Sequence, residues 1–216
     1  MVKDRLQGMN IYLIGMMGAG KTTVGKALAT ELNYRFIDTD AVIAQVADQS
    51  IAELFAARGE PEFRDLESKV LAEVAAYQYS VVATGGGIIL RSLNWSYLQC
   101  GLVVWLDVSV EQLDQRLQED NTRPLLQHSV QNSVQDSIQA PTQAPTQNPD
   151  RLETLKTLLA ERRSLYSEAD LKISVAPEAT PDQIVQTILA QIPGVLKPAA
   201  RAKFEVSQSL ETKAND

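Results

Sequence analysis

Asn10-Ile-Tyr-Leu-Ile14 followed by Gly15-Met-Met-Gly-Ala-Gly20-Lys21-Thr22 is the stretch on which the architecture turns. The first five residues read as a short buried strand, and the next eight match G-x-x-x-x-G-K-[ST] in full. Glycines at these positions let a loop wrap closely around phosphate with its N–H groups pointing inward. A helix opening at Lys21 adds the positive end of its dipole. In such a loop Lys21 reaches the β and γ phosphates, and the Thr22 hydroxyl ligates Mg²⁺. Val24, Leu28 and Leu32 recur every four residues, which marks one face of the helix that follows. The motif therefore sits between a strand and an amphipathic helix, as phosphate binding requires. It specifies a nucleotide but not a reaction. A GTPase needs an N-K-x-D base-reading motif, yet no Asn-Lys pair occurs in the chain. Small size without added domains points to a kinase for a small acceptor.

Outward from this loop, strand and helix patterns alternate. Arg35 to Ile37 is a short strand closing at Asp38-Thr39-Asp40. Ser50 and Glu53 have capping-box spacing and open a helix that stops near Gly59. Pro61 suits the first turn of a second helix lined by Phe63, Leu66, Val70 and Val74. Ser80 to Ala83 reads as a strand running into Thr84 and Gly85-Gly86-Gly87, and Leu102 to Leu106 as another, with Ser109 and Gln112 capping the next helix. Residues 151–167 are expected to be helical and 171–175 a strand, and Thr180-Pro181 starts a last helix to about Ile192. Such alternation predicts a parallel β-sheet flanked by helices, in one doubly wound α/β domain over residues 1–195.

The chain of 216 residues is 44% apolar and 22% charged, ordinary for one soluble domain. Its net charge of −7 argues against nucleic acid as a partner and demands a local cluster of cations for anionic ligands. A single cysteine, Cys100, excludes an internal disulfide framework and fits a reducing compartment. It is expected to pack between a helix and a strand. No apolar run is long enough to cross a bilayer, and the few residues before the first strand are too short for a targeting peptide. A cytoplasmic protein with no membrane partner is expected. Two segments fit no packed domain. Glutamine recurs at 127, 131, 135, 139, 143 and 147, with Pro141, Pro145 and Pro149 in the later part. This low-complexity stretch, 127–148, reads as a mobile insertion carrying His128 as a bystander. The tail, 196–216, is expected to be disordered.

Three further clusters lie where an acceptor would bind. Asp38 and Asp40, two apart on an extended segment, would point the same way. One would then serve a metal and the other a substrate hydroxyl, the alternative being a capping Asp40 beside a solvated Asp38. Arg64 and Glu67 share one side of a helix, either as a carboxylate receptor held by its partner or as a surface ion pair. Gly85 to Gly87 at a strand end would let a substrate approach the backbone and meet its N–H groups, or would form a plain turn.

Taken in order, these residues resemble shikimate kinase. That family shows a GxxGxGK[ST] loop, D-T-D, S-I-x-E-[IL]-F followed by G-E-x-x-F-R-x-x-E, G-G-G, R-P-L-[LI] and R-x-x-L-Y. Here they stand as Gly15 to Thr22, Asp38 to Asp40, Ser50 to Phe55, Gly59 to Glu67, Gly85 to Gly87, Arg123 to Leu126, and Arg162 to Tyr166. The resemblance runs from about residue 10 to 192. It implies a nucleoside-monophosphate-kinase-like P-loop fold with a mobile lid at about 112–150. ATP would be bound by Gly18, Ala19, Gly20, Lys21, Thr22, Thr23, Arg116, Arg123 and Pro181. Asp40, Arg64, Gly85, Gly86, Gly87 and Arg162 would hold shikimate, with Lys21, Asp40 and Arg123 at the reacting groups. Thr22 would ligate Mg²⁺ directly and Asp38 in its outer sphere. Asp107, ending an apolar strand, is a rival metal residue read instead as a strand-end cap. Arg163 competes with Arg162, which keeps the family spacing to Leu165-Tyr166. Ser164 replaces a proline common in the family, and the glutamine repeat lengthens the lid.

The implied reaction is transfer of the ATP γ-phosphoryl group to the 3-hydroxyl of shikimate by a monomer in aromatic amino-acid biosynthesis. The alternatives are another small-acceptor kinase, such as a gluconate kinase, and a non-catalytic binding module on the same fold.

Overall fold

The computed structural model describes residues 2–119 and 151–196. Arg123, His128, the glutamine repeat and the tail from 197 lie outside the described residues. Five strands form one parallel sheet in the order β2-β3-β1-β4-β5. They are β1 (Ile11–Ile14), β2 (Arg35–Asp38), β3 (Ser80–Ala83), β4 (Leu102–Asp107) and β5 (Leu171–Ser174). Every residue of β1 and β3, and all of β4 except Asp107, is buried. Covering on both faces explains why these three read as nearly unbroken apolar runs. The edge strands differ: β5 alternates buried and exposed residues, and no residue of β2 is fully buried.

Sequence order reverses direction at β1, with β3 and β2 on one side and β4 and β5 on the other. Open α/β sheets bind ligands at the carboxyl ends of the strands beside such a switch point. Register puts Leu13 of β1 beside Ala83 of β3, and Ala83 beside Asp38 of β2. The phosphate loop, the triple glycine and Asp38-Thr39-Asp40 therefore leave the sheet side by side.

Helix α1 (Val2–Leu6) precedes β1, and α2 (Lys21–Leu32) buries Val24, Leu28 and Leu32 as their spacing predicts. Helix α2 packs on β3 and on α8 (Pro181–Val195), which starts with a Thr180–Gln183 capping box. Helix α6 (Val110–Glu119) packs on α7 (Arg151–Tyr166). The predicted pair of helices around Gly59 is present, two helical segments that meet at a kink and are labelled together α4 (Ile51–Ala75). Ser50 and Glu53 cap it reciprocally, and its backbone leaves helical geometry at Gly59, φ 75° and ψ 175°. Helices α1 and α3 (Thr39–Ala47) were not expected, and α5 (Ser92–Leu98) was implied only by placing Cys100 between a helix and a strand. Cys100 is exposed, its thiol donating to the Ser96 carbonyl at 3.3 Å, so the expectation of a packing role is wrong. No helix among the described residues is long and apolar enough to cross a membrane.

Candidate active site

On the donor side, Gly15 and Gly20 hold φ of 144° and 89°, conformations that cost other residues strain. A side chain on Gly15 would also begin 2.8 Å from the Leu106 carbonyl oxygen. Lys21 is buried, and its ammonium donates to the carbonyls of Gly15 at 2.8 Å and Met16 at 2.9 Å. Gly20 caps α2 without any side-chain hydrogen bond, which leaves the helix N-terminus suited to an anion. Ala19 is buried, whereas Thr23 is exposed. Arg116, on α6, donates to the Gly18 carbonyl at 3.3 Å, so that helix is tied to the loop. Pro181 is exposed in the first turn of α8.

The Asp38-Thr39-Asp40 geometry corrects the extended reading. Only Asp38 ends the strand; Asp40 is in the first turn of α3. Asp38 is the cap of that helix, its Oδ1 accepting from the Asp40 N–H at 3.1 Å. Its Oδ2 accepts from the Thr22 hydroxyl at 2.7 Å. Asp38 is thus bound to the phosphate loop, while the helical turn carries Asp40 towards Gly85. Asp107 goes elsewhere, to Lys172 at 2.9 Å and Arg163 at 4.0 Å.

Beyond the Gly59 kink, Arg64 donates through Nε (3.0 Å) and Nη2 (2.9 Å) to Glu60 Oε1, and through Nη1 (2.8 Å) to Glu67 Oε2. The surface ion pair considered for this motif is excluded, because Glu67 is wholly buried and the Arg64 side chain is only 14% exposed. Burial alone would lower the Arg64 pKa, but Glu67 and Glu60 outweigh it and hold the guanidinium firmly charged. Burial pushes the Glu67 carboxyl above its ordinary value despite Arg64, and the neighbouring Asp40 adds to the rise. Its Oε1 is buried without a hydrogen-bond partner among the described residues.

Each glycine of the triple faces a different part of this cluster. A side chain on Gly85 would begin 2.7 Å from Glu67 Oε1 and 2.8 Å from Asp40 Oδ1. On Gly87 it would overlap the Arg64 guanidinium. On Gly86 its nearest neighbour is the Met17 nitrogen of the phosphate loop, at 3.4 Å. The Gly85 N–H already donates to the Thr39 hydroxyl at 3.2 Å, so it is not the open donor expected. These glycines make room for Glu67, Asp40 and Arg64 and bring that cluster against the phosphate loop. On α7, Arg162 is buried while the Arg163 side chain is 56% exposed.

The family model described as shikimate kinase matches residues 17–193. The chain belongs to the shikimate kinase family. It is 51% identical over 197 residues to the shikimate kinase of Rippkaea orientalis, covering 91% of this chain and 95% of that one. With the shikimate kinase of Trichormus variabilis it shares 55% over 192 residues, 89% of this chain and 95% of the relative. Among solved structures, the shikimate kinase from Acinetobacter baumannii in complex with shikimate matches with a TM-score of 0.74 at 35% identity, over 90% of this chain and 98% of that one.

Of the residues expected in the site, Lys21, Thr22, Asp38, Asp40, Arg64, Arg116, the triple glycine and Arg162 are among those described, and Arg123 lies outside them. Sequence reasoning missed Thr39 as the anchor of Gly85. It quoted Tyr166 within a motif without giving it a task. Tyr166 is wholly buried and donates from its hydroxyl to the Gly86 carbonyl at 2.9 Å. The only signal was its place one helical turn after Arg162.

Proposed function

We propose that the chain transfers the γ-phosphoryl group of ATP to the 3-hydroxyl of shikimate, giving shikimate 3-phosphate and ADP for aromatic amino-acid biosynthesis. The observation that carries this reading is the glycine triple, which seats Asp40, Glu67 and Arg64 within one turn of backbone that abuts the phosphate loop. A charged fork, a carboxylate and a close-packed backbone suit a compact acid bearing hydroxyls.

Gly18 to Thr23 wrap the phosphates of ATP, with Lys21 turning from the loop carbonyls to the β and γ phosphates. Arg116 and Pro181 flank the adenine, and Arg123 neutralises charge on the transferred group. Arg64 and Arg162 bind the shikimate carboxylate, Gly85 to Gly87 border the ring, and Asp40 orients the 3-hydroxyl and accepts its proton. Mg²⁺ fits the Thr22–Asp38 pair, since a hydroxyl and a carboxylate oxygen 2.7 Å apart are the hard donors this ion takes alongside phosphate and water. When bound it supplies charge neutralisation between the β and γ phosphates. Thr22 would hold it directly, and Asp38 would act from its outer sphere. Otherwise catalysis is positioning: Lys21 and the arginines hold donor and acceptor in line, in a site shielded from water. The protein is read as a cytoplasmic monomer acting on these small molecules, without nucleic acid or membrane.

A coupled assay of ADP release with Mg²⁺ tests the assignment. Shikimate is expected to stimulate turnover and gluconate to leave it at the background rate. Equal turnover of both acids, or none with shikimate, refutes it.

A further inference from the structure

Tyr166 closes α7 with its ring against Trp105, centroids 5.6 Å apart and planes inclined by 16°. Trp105 lies across the sheet from Ile14, immediately before the phosphate loop, and Lys172 sits over the same indole at 4.7 Å. The phenol ring is thus stacked on Trp105 in the buried core, a place that the ring of phenylalanine would fill equally well. A hydroxyl in such a place must be desolvated, so it is tolerated only with a partner. Its partner is the Gly86 carbonyl, 80 residues away in sequence. Gly86 is the glycine whose backbone lies against Met17. Arg162, one turn earlier on the same face of α7, is also buried.

We propose that Tyr166 is a positioning residue for the acceptor: its hydroxyl fixes the Gly86 carbonyl and, beside it, the Arg162 side chain, with Trp105 as the rigid support. This rests on the acceptor site proposed above. Burial pushes the Tyr166 hydroxyl up to about 12, against the opposing pull of the Arg162 and Arg64 charges. It therefore stays protonated and donates throughout the neutral range. Removing it leaves the Gly86 carbonyl without that donor and frees both the turn and Arg162 to shift by fractions of an ångström.

The test is shikimate and ATP saturation kinetics on the full chain carrying Tyr166→Phe, Arg162→Ala, or both. Tyr166→Phe keeps the stacked ring and loses one neutral hydrogen bond, an effect of about 2- to 12-fold. That factor is expected in the shikimate KM, well above any change in kcat or in the KM for ATP. Arg162→Ala is expected to raise the shikimate KM further. The double variant should fall short of the product of the two effects, because both act through one group. A lower melting temperature with unchanged shikimate KM in Tyr166→Phe would make the residue a packing element and overturn the proposal. So would effects that multiply in full. If Arg162→Ala itself leaves the shikimate KM unaltered, the acceptor site has been misplaced, and the proposal falls with it.

Discussion

Arg64 is gripped from two sides, by Glu60 and by the buried Glu67, and it fits only because position 87 has no side chain. A methyl group at Gly87 would meet the far end of a side chain rather than backbone, so the protein is expected to fold while the guanidinium is displaced. Gly87→Ala should therefore resemble Arg64→Ala: the shikimate KM rises about 10- to 150-fold, the loss expected for a charged hydrogen-bond partner, with the KM for ATP little changed. Saturation kinetics check it. If Asp40 accepts the proton as proposed, Asp40→Asn keeps the shape of the turn but removes that acceptor, and kcat should drop by about 10²- to 10⁴-fold while ATP still binds. Glu67 gives a pH signature. Its carboxyl is raised in the folded state, so its contribution to stability is fully present below the ordinary glutamate value and is lost as pH rises through the raised one. Glu67→Gln removes that loss. The urea midpoint of the native protein, measured relative to Glu67→Gln, should decline as pH increases from about 4.5 towards neutrality.

At the level of elements, what could be read from the sequence was what depends on local pattern. The four-residue spacing in α2, the capping boxes of α4 and α8 and the apolar runs of β1, β3 and β4 all carry their own signal. The helix α3 did not, because Thr39, Val42, Ile43 and Val46 are β-branched and its cap, Asp38, doubles as the end of a strand. That is why Asp38 and Asp40 read as an extended pair but turn apart, Asp38 to Thr22 and Asp40 towards Gly85. The strand order, and with it the meeting of Gly86 with the phosphate loop, arises from pairings between residues some seventy apart, such as Ile11 with Val81, which no window of sequence contains. Gly59 carried a local signal that was read correctly, as the break between two helical segments. Its φ of 75° and ψ of 175° lie in a region that is essentially glycine-only, although a side chain there would meet nothing nearer than Pro61 Cδ at 3.7 Å. Strain rather than crowding should decide the outcome, so Gly59→Ala is expected to destabilise by about 1–3 kcal/mol in urea unfolding.

For the whole molecule, binding and stability are one quantity seen twice. Its net charge of −7 makes the bulk field unfavourable for anionic substrates, so affinity rests on the few cations that the sheet's carboxyl edge gathers. Among the described residues, those of the proposed site are Lys21 and Arg116, both bonded to phosphate-loop carbonyls, with Arg64 and Arg162 proposed for the acceptor. A ligand that binds only the folded chain stabilises it by RT ln(1 + [L]/Kd), about 2.7 kcal/mol at one hundred times Kd. For a chain of this size each kcal/mol is worth about 2–4 °C, so shikimate at that concentration should raise the melting temperature by about 5–11 °C. If Arg64 carries the carboxylate contact, Arg64→Ala lifts Kd about 10- to 150-fold. The same shikimate concentration then stabilises by only about 0.3–1.4 kcal/mol. The thermal shift should shrink to roughly half or less, while the shift produced by ATP with Mg²⁺ is kept. A shikimate shift of undiminished size in Arg64→Ala would place the acceptor elsewhere, because a ligand cannot stabilise the fold through a contact it no longer makes.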